Sequence, residues 1–152
     1  MRVADILARK SRATHTVKPS DTIAALSALL REEHIGAAVV SWDGRSVDGV
    51  VSERDIAYKL SRHGPEFAEL PVSVIMTTPV ITCGLIDLAG TVASTMLARD
   101  IRHLPVVDEQ GRLIGMVSMR DVLNFRLAEL QQEAALLRTS AQEAQRPPQD
   151  RE

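Results

Sequence analysis

Polar and apolar positions along the chain follow two periods. Ile23, Leu26 and Leu30 recur at steps of three and four, the spacing of one helix face. Ser20 and Asp21 stand before them as candidate N-caps and predict a helix reaching about His34. Ala37–Val40 and Val47–Val51 are short runs rich in valine, separated by Asp43-Gly44, and predict two strands joined by a turn. Ser52 then starts a second helix, which Gly64-Pro65 stops. The same order returns downstream. Asp87 leads a helix with Leu88, Val92 and Met96; Leu104–Val107 and Leu113–Val117 flank the turn Gln110-Gly111; Ser118 opens a further helix. A short apolar segment (Val3–Leu7; Val74–Met76) and a short strand (Thr16–Val17; Val80–Thr82) precede each set.

These parallels are a sequence repeat. At a shift of 66, Asp21, Ile35, Val40, Gly49, Val51, Ser52, Arg54 and Asp55 fall on Asp87, Ile101, Val106, Gly115, Val117, Ser118, Arg120 and Asp121. At a shift of 69, Val3, Ile6 and Leu7 fall on Val72, Ile75 and Met76, so the first copy carries three extra residues around Arg9 to Thr16. A unit near 60 residues present twice is too long for a solenoid. It predicts two homologous βαββα units, residues 1–63 and 73–128, joined by a linker over 64–72, in an α/β architecture.

Composition narrows the chemistry. With a formal net charge of −2, the chain has no general basic field for nucleic acid. The four aromatic residues, Trp42, Tyr58, Phe67 and Phe125, supply a poor stacking platform for single strands. One cysteine, Cys83, excludes an internal disulfide and a cysteine-based zinc knuckle. His15, His34, His63 and His103 share no metal-ligand spacing. No apolar run approaches the roughly 20 residues needed to cross a bilayer. Arg2, Arg9, Lys10 and Arg12 superficially suggest a presequence, but Asp5 interrupts them and no secretory apolar core follows. The expectation is a cytoplasmic chain with no membrane or nucleic-acid partner and no metal. G-x-G-x-x-G, P-loop and G-x-S-x-G patterns are all missing, so no catalytic residue is assigned.

The duplicated Ser-x-Arg-Asp carries the main chemical signal. Ser52-x-x-Asp55 and Ser118-x-x-Asp121 are each complete as helix caps, a serine at N-cap and an acid at N3. Capping does not account for Arg54 and Arg120. Each falls at N2, where the positive end of the helix dipole disfavours a cation by roughly 0.3–1 kcal/mol. Placed there twice, they point to an anionic partner such as a phosphate. Asp55 and Asp121 can then accept from a ribose diol. Gly49 and Gly115 leave room for close backbone approach, or mark strand irregularities.

The stretches Gly49-Val50-Val51-Ser52-Glu53-Arg54-Asp55 and Gly115-Met116-Val117-Ser118-Met119-Arg120-Asp121 resemble the CBS (cystathionine-β-synthase) domain, as do Ile35–Val40 and Ile101–Val107. The resemblance covers roughly residues 1–128 as a tandem pair and is closest to small stand-alone bacterial CBS-pair proteins. It implies a pseudo-twofold pair with a cleft between two sheets, and AMP, ADP, ATP or NAD(H) as regulatory ligand. It implies that each site joins the Ser/Asp motif of one copy to the opening strand and pre-hairpin segment of the other. The Asp55 site, with Ser52 and Arg54, would add Thr77, Ile81, Arg102 and His103. The Asp121 site, with Ser118 and Arg120, would add Lys10, Thr16, Gly36 and Ala37. Arg102 and His103 give the first site contacts that Gly36 and Ala37 cannot give the second, so the two are expected to differ. The family also implies a disc-shaped homodimer.

A heptad-like stripe follows: Leu123, Leu127, Leu130, Ala134, Leu137, Ala141 and Ala144. It predicts a helical extension over 129–146, packed on its own domain or on a second copy, before a disordered tail at 147–152. The expected function is a non-enzymatic nucleotide sensor acting through an unknown effector protein. The alternatives are a constitutive dimeric scaffold with vestigial clefts, or an enzyme acting on bound nucleotide.

Overall fold

The computed structural model describes residues 1–10 and 13–144. Arg12, residues 145–146 of the expected extension and the 147–152 tail lie outside the described residues. In the first copy, α1 (Val3–Arg9), β1 (Thr16–Val17), α2 (Ile23–Glu32), β2 (Ala37–Val40), β3 (Gly49–Ser52) and α3 (Glu53–Leu60) follow in order. Two 3₁₀ turns, Pro65–Glu69 and Val72–Val74, lead to α4 (Ala89–Ala98), β4 (His103–Val107), β5 (Leu113–Ser118) and α5 (Met119–Ala144). One sheet runs β1-β2-β3, with β1 parallel to β2 and β2 antiparallel to β3; the other is the antiparallel pair β4-β5. Ala37 faces Ser52 in the first hairpin and His103 faces Ser118 in the second, the same register 66 residues on. Among the described residues no helix is long and apolar enough to cross a membrane.

Each core is completed by the opening segment of the other copy. Val3 and Ile6 of α1 are buried among Val92, Met96, Leu104 and Val117 of the second copy. Val72 and Ile75 are buried among Ile23, Leu26, Val40 and Val51 of the first. The backbone repeats the exchange: Val3 N–H donates to Asp87 O at 2.9 Å, and Val72 N–H donates to Asp21 O at 2.8 Å. The change of shift from 66 to 69 falls where the chain crosses between copies. Each buried Val or Ile contributes about 1.5–3 kcal/mol, so neither copy holds its core without the other. Ala37, Val39 and Met116 form a smaller buried cluster between the two sheets.

Several elements depart from the sequence reading. Val80–Thr82 forms no strand. Thr77 instead exchanges two backbone bonds with Val50 of the first sheet, at 2.8 and 3.1 Å, and only Cys83 bridges to Val106 of the second. The segment between them crosses from one sheet to the other, and Pro79 offers no N–H for a ladder. The first-copy cap is Thr22, whose hydroxyl accepts from Ala25 N–H at 3.1 Å. Asp21 and Asp87 brace the preceding turns instead, accepting from Lys18 N–H and Gly84 N–H at 2.8 Å. Leu88 takes the cap position of α4 without a side-chain bond. Strand β3 starts at Gly49 because Asp43 and Asp48 fold residues 41–48 into a hydrogen-bonded loop. Gly44 and Gly111 at its turn and the matching one have φ of +78° and +75°, which glycine accommodates. Helix α3 ends at Leu60, four residues before Gly64, and the Pro65–Glu69 turn buries Phe67 in the first core. Helix α5 is continuous through the whole described extension.

Candidate functional site

Both Ser/Asp pairs form complete caps. Ser52 N–H donates to Asp55 Oδ2 at 2.8 Å, and Asp55 N–H returns a bond to Ser52 Oγ at 3.3 Å. Ser118 and Asp121 repeat this at 2.8 and 3.1 Å. The N1 amides are also taken: Glu53 N–H donates to Gly36 O at 3.0 Å, and Met119 N–H to Arg102 O at 2.9 Å. The pre-strand segments are thereby tied to the helix starts. The cap bonds to the Asp55 carboxylate fall on Oδ2, from the Ser52 amide and hydroxyl, and the residue lines the space in front of α3.

That space is a cleft of about 300 Å³. Ser52, Arg54 and Asp55 line it from the first copy, with Gly36 and Val50. Thr77, Pro79, Val80 and Ile81 of the crossing segment line it from the side, with Asp100, Ile101, Arg102 and His103 opposite. All seven residues expected around Asp55 therefore meet at one cavity. Gly36, expected beside Asp121, lies here instead. A Cβ at Gly36 would stand in ordinary contact with His103 Cε1 at 3.5 Å and Glu53 Oε1 at 3.4 Å, which places the His103 ring beside this residue.

Sequence reasoning missed Asp100. Its backbone is left-handed, φ +50°, at the end of α4, matching His34 with φ +53° after α2. The Arg54 guanidinium donates from Nη1 to Asp100 Oδ2 at 3.2 Å and to Asp100 O at 3.1 Å. The cation at N2 thus already faces an anion across the cleft, though Asp100 is 90% exposed and Arg54 29%. A pair so open to water holds Arg54 weakly. Nothing in the repeat pattern flags Asp100, because its counterpart is a histidine.

The Asp121 side is built differently. Lys10 Nζ donates to Asp121 Oδ2 at 2.8 Å and to Met116 O at 2.9 Å. Burial opposes ionisation of Asp121, but the Lys10 bond and charge and the Ser118 amide and hydroxyl outweigh it, so its pKa lies below the ordinary carboxylate value. A second cavity of about 230 Å³ lies beside Lys10, lined by Leu7, Ala13, Thr14 and Met116 among others, and Asp121 does not line it. Thr16 pairs with Val39 in the sheet, and Ala37 is buried with Val39 and Met116. Neither lines the cavity. Arg120 is exposed and its side chain makes no hydrogen bond or ion pair among the described residues. The glycines of the two motifs make room for protein rather than ligand. A Cβ at Gly49 would meet Met76 Sδ at 2.7 Å, and one at Gly115 would meet Leu7 Cδ1 at 2.8 Å.

His103 stands between the two sides. Burial lowers its pKa, Lys10, Arg102 and Arg120 lower it further, and Asp121 opposes them. The neutral ring is therefore favoured over the charged one. Cys83 is inert by comparison, its thiol pushed up to about 11 by burial and by Asp87. Among the described residues no group of three or more His, Cys, Asp or Glu could hold a metal ion.

Residues 3–62 and 72–128 each match the CBS domain. The chain belongs to the CBS-domain family. The CBS domain-containing protein YhcV of Bacillus subtilis is 31% identical over 128 residues, 84% of this chain and 89% of that protein. An uncharacterized protein of Methanopyrus kandleri is 33% identical over 108 residues, 71% of this chain, which spans 55% of that protein's length. Solved CBS structures superpose along most of the chain. The protein ATU1752 of Agrobacterium tumefaciens does so with TM-score 0.76 and 35% identity over 82% of this chain and 98% of that one. A Pyrobaculum aerophilum CBS domain protein complexed with AMP gives 0.71 and 28%, over 80% and 89%. The CBS domain pair of protein MJ0100, in complex with 5′-methylthioadenosine and S-adenosyl-L-methionine, gives 0.73 and 25%, over 85% and 98%.

Proposed function

We propose that this CBS pair is a non-enzymatic regulatory module that binds an adenosine nucleotide in the Asp55 cleft and reports its occupancy to an effector protein in the cytoplasm. The observation that carries the reading is the convergence of Ser52, Arg54 and Asp55 with Thr77, Ile81, Arg102 and His103 at one cavity of about 300 Å³. That volume is at the lower end of small-molecule sites. Asp55 Oδ1 accepts from the ribose diol, and Ile81 and Val80 bracket the base. Arg54, Arg102 and His103 face the phosphate, Arg54 exchanging Asp100 for it. The AMP and S-adenosyl-L-methionine complexes of the related structures support adenosine as the common element. AMP, ADP, ATP and NAD(H) are the candidates, the phosphate being required by the cations. Lys10, Ser118, Arg120 and Asp121 offer a second position once Lys10 leaves Asp121, while Thr16 and Ala37 stay held in the sheet beside it. Binding favours whichever arrangement of the two copies closes on the ligand. Two such chains pair as a homodimer.

The scaffold reading has one observation in its favour: Oδ2 of each motif aspartate is already engaged in a helix cap without any ligand. Calorimetry on ligand-stripped protein with AMP, ADP, ATP, NAD(H) and S-adenosyl-L-methionine separates the two. Saturable heat with unchanged nucleotide recovered afterwards is expected. No heat with any of them supports the scaffold, and recovered product supports an enzyme.

A further inference from the structure

Helix α5 leaves the folded body with an apolar stripe uncovered. Its first turns are anchored by Val122, which is buried, and Phe125, which packs on the second core under the Arg9 guanidinium at 4.5 Å. The stripe beside them is not anchored: Leu127 is 55% exposed, Leu130 47% and Leu137 72%. Ala134, Ala141 and Ala144 continue it at alternating steps of three and four. A 3.5-residue repeat is the seam of a two-helix supercoil, and the alanines at 134, 141 and 144 leave room for two backbones to approach.

We propose that this seam is closed by the α5 helix of a second copy of the chain, parallel and in register. The inference rests on the homodimer part of the reading above, names its surface, and is independent of nucleotide binding. Charge selects the partner and its direction. Glu133 directly precedes the seam residue Ala134, and Arg138 directly follows the seam residue Leu137. In a parallel pair such residues, five apart, face one another across the seam. Glu133 therefore meets the partner's Arg138, and symmetry makes the contact twice. Neither has an ion-pair partner among the described residues, whereas Arg126 is engaged by Glu129 at 3.1 Å. Antiparallel alternatives fail on the same residues. The register that uses only 127–144 sets Glu133 against Ser140 and Gln131 against Arg138, with no opposite charges. Sliding one heptad opposes Glu133 to itself. Sliding a second pairs Arg126 with Glu133 but lays residues 137–144 across positions 113–120, inside β5 and the start of α5.

Cysteine cross-linking tests this on the full chain, since the sole native cysteine is buried. Ala141→Cys and Leu137→Cys place a thiol on the seam, and Leu136→Cys places one beside it. In a glutathione buffer the seam variants should form disulfide-linked dimers on the order of ten-fold faster than Leu136→Cys, because the supercoil holds the thiols at millimolar effective concentration. Glu133→Arg and Arg138→Glu should each slow the Ala141→Cys link roughly two- to thirty-fold, the range for two exposed pairs, and together restore it. Links no faster than Leu136→Cys overturn the proposal. So does a preferred link between Leu130→Cys and Ala141→Cys chains, which marks an antiparallel pair, or charge variants that fail to rescue each other. AMP titration of the same variants is expected to be unchanged, so failure here is distinct from failure of the nucleotide reading.

Discussion

Lys10 holds Asp121. The ammonium of one copy's opening segment lies 2.8 Å from the carboxylate that caps the other copy's second helix, each side chain about a quarter exposed. The pair makes the two otherwise repeated motifs unequal, because its counterpart near Asp55 is a cavity. Lys10→Met should cost about 1–2 kcal/mol in the absence of ligand, the scale of a charge-assisted hydrogen bond in a partly buried setting. Asp121 has a folded-state pKa below its unfolded value, so its contribution is present above about pH 4 and is lost as pH falls through the folded value. Thermal melts of wild type and Lys10→Met should therefore converge in acid and separate at neutral pH. The same substitution should raise nucleotide stoichiometry per chain towards two at high ligand concentration.

Arg54 and Asp100 give a sharper probe of the Asp55 cleft. Their contact is exposed, so Arg54→Gln should leave the unliganded melting temperature within a degree or two of wild type. It should weaken AMP by about 1.5–3 kcal/mol, roughly ten- to a hundred-fold, and adenosine far less. Asp100→Asn should move the other way and strengthen AMP several-fold, because Arg54 no longer has to leave an anion. Isothermal titration of the two variants in parallel reads both directions.

Protonation of His103 should accompany binding of the phosphate. Its pKa in the unliganded fold is lowered, chiefly by burial, then by Lys10, with Arg102 and Arg120 adding and Asp121 opposing. The unfolded histidine binds its proton more readily, so His103 contributes stability above about pH 6.5 that is lost as pH falls through the folded value. An anion beside the ring reverses the balance and draws a proton in. AMP affinity should fall in wild type as pH rises above the lowered value of the unliganded ring, and change less in His103→Gln. Titration in buffers of different ionisation enthalpy should show proton uptake that the variant lacks.

The exchange of opening segments makes the two copies one folding unit. Ile6 and Ile75 are 4% and 0% exposed, each inside the other copy's core. Ile6→Ala or Ile75→Ala should each cost about 2–5 kcal/mol. Calorimetry should show one transition in wild type and in both variants, not two separated ones.

Much of this was legible because the repeat doubles each signal. The capping boxes at Ser52 and Ser118, both hairpins and the stripe of α2 follow from short-range patterns, which local hydrogen bonds and burial enforce. What escaped the sequence is long-range. Asp100, the partner of Arg54, lies 46 residues away, and one sequence carries no record of that contact; the resemblance alone sets Lys10 beside Asp121, 111 residues away. Asp21 and Asp87 suit a turn brace as well as a helix cap, since a short carboxylate accepts from either set of amides. Val80–Thr82 has strand composition but spans two sheets, a constraint set by Thr77 and Cys83 on either side. The residues 64–72 read as a linker, yet Phe67 is buried there.

The most direct measurement is a calorimetric titration of AMP into ligand-stripped wild type and Arg54→Gln at neutral pH. The account predicts saturable binding near one AMP per chain in wild type and affinity reduced roughly ten- to a hundred-fold in the variant. Equal affinity in the two proteins, or no binding by wild type of AMP or any other adenosine nucleotide, would contradict it.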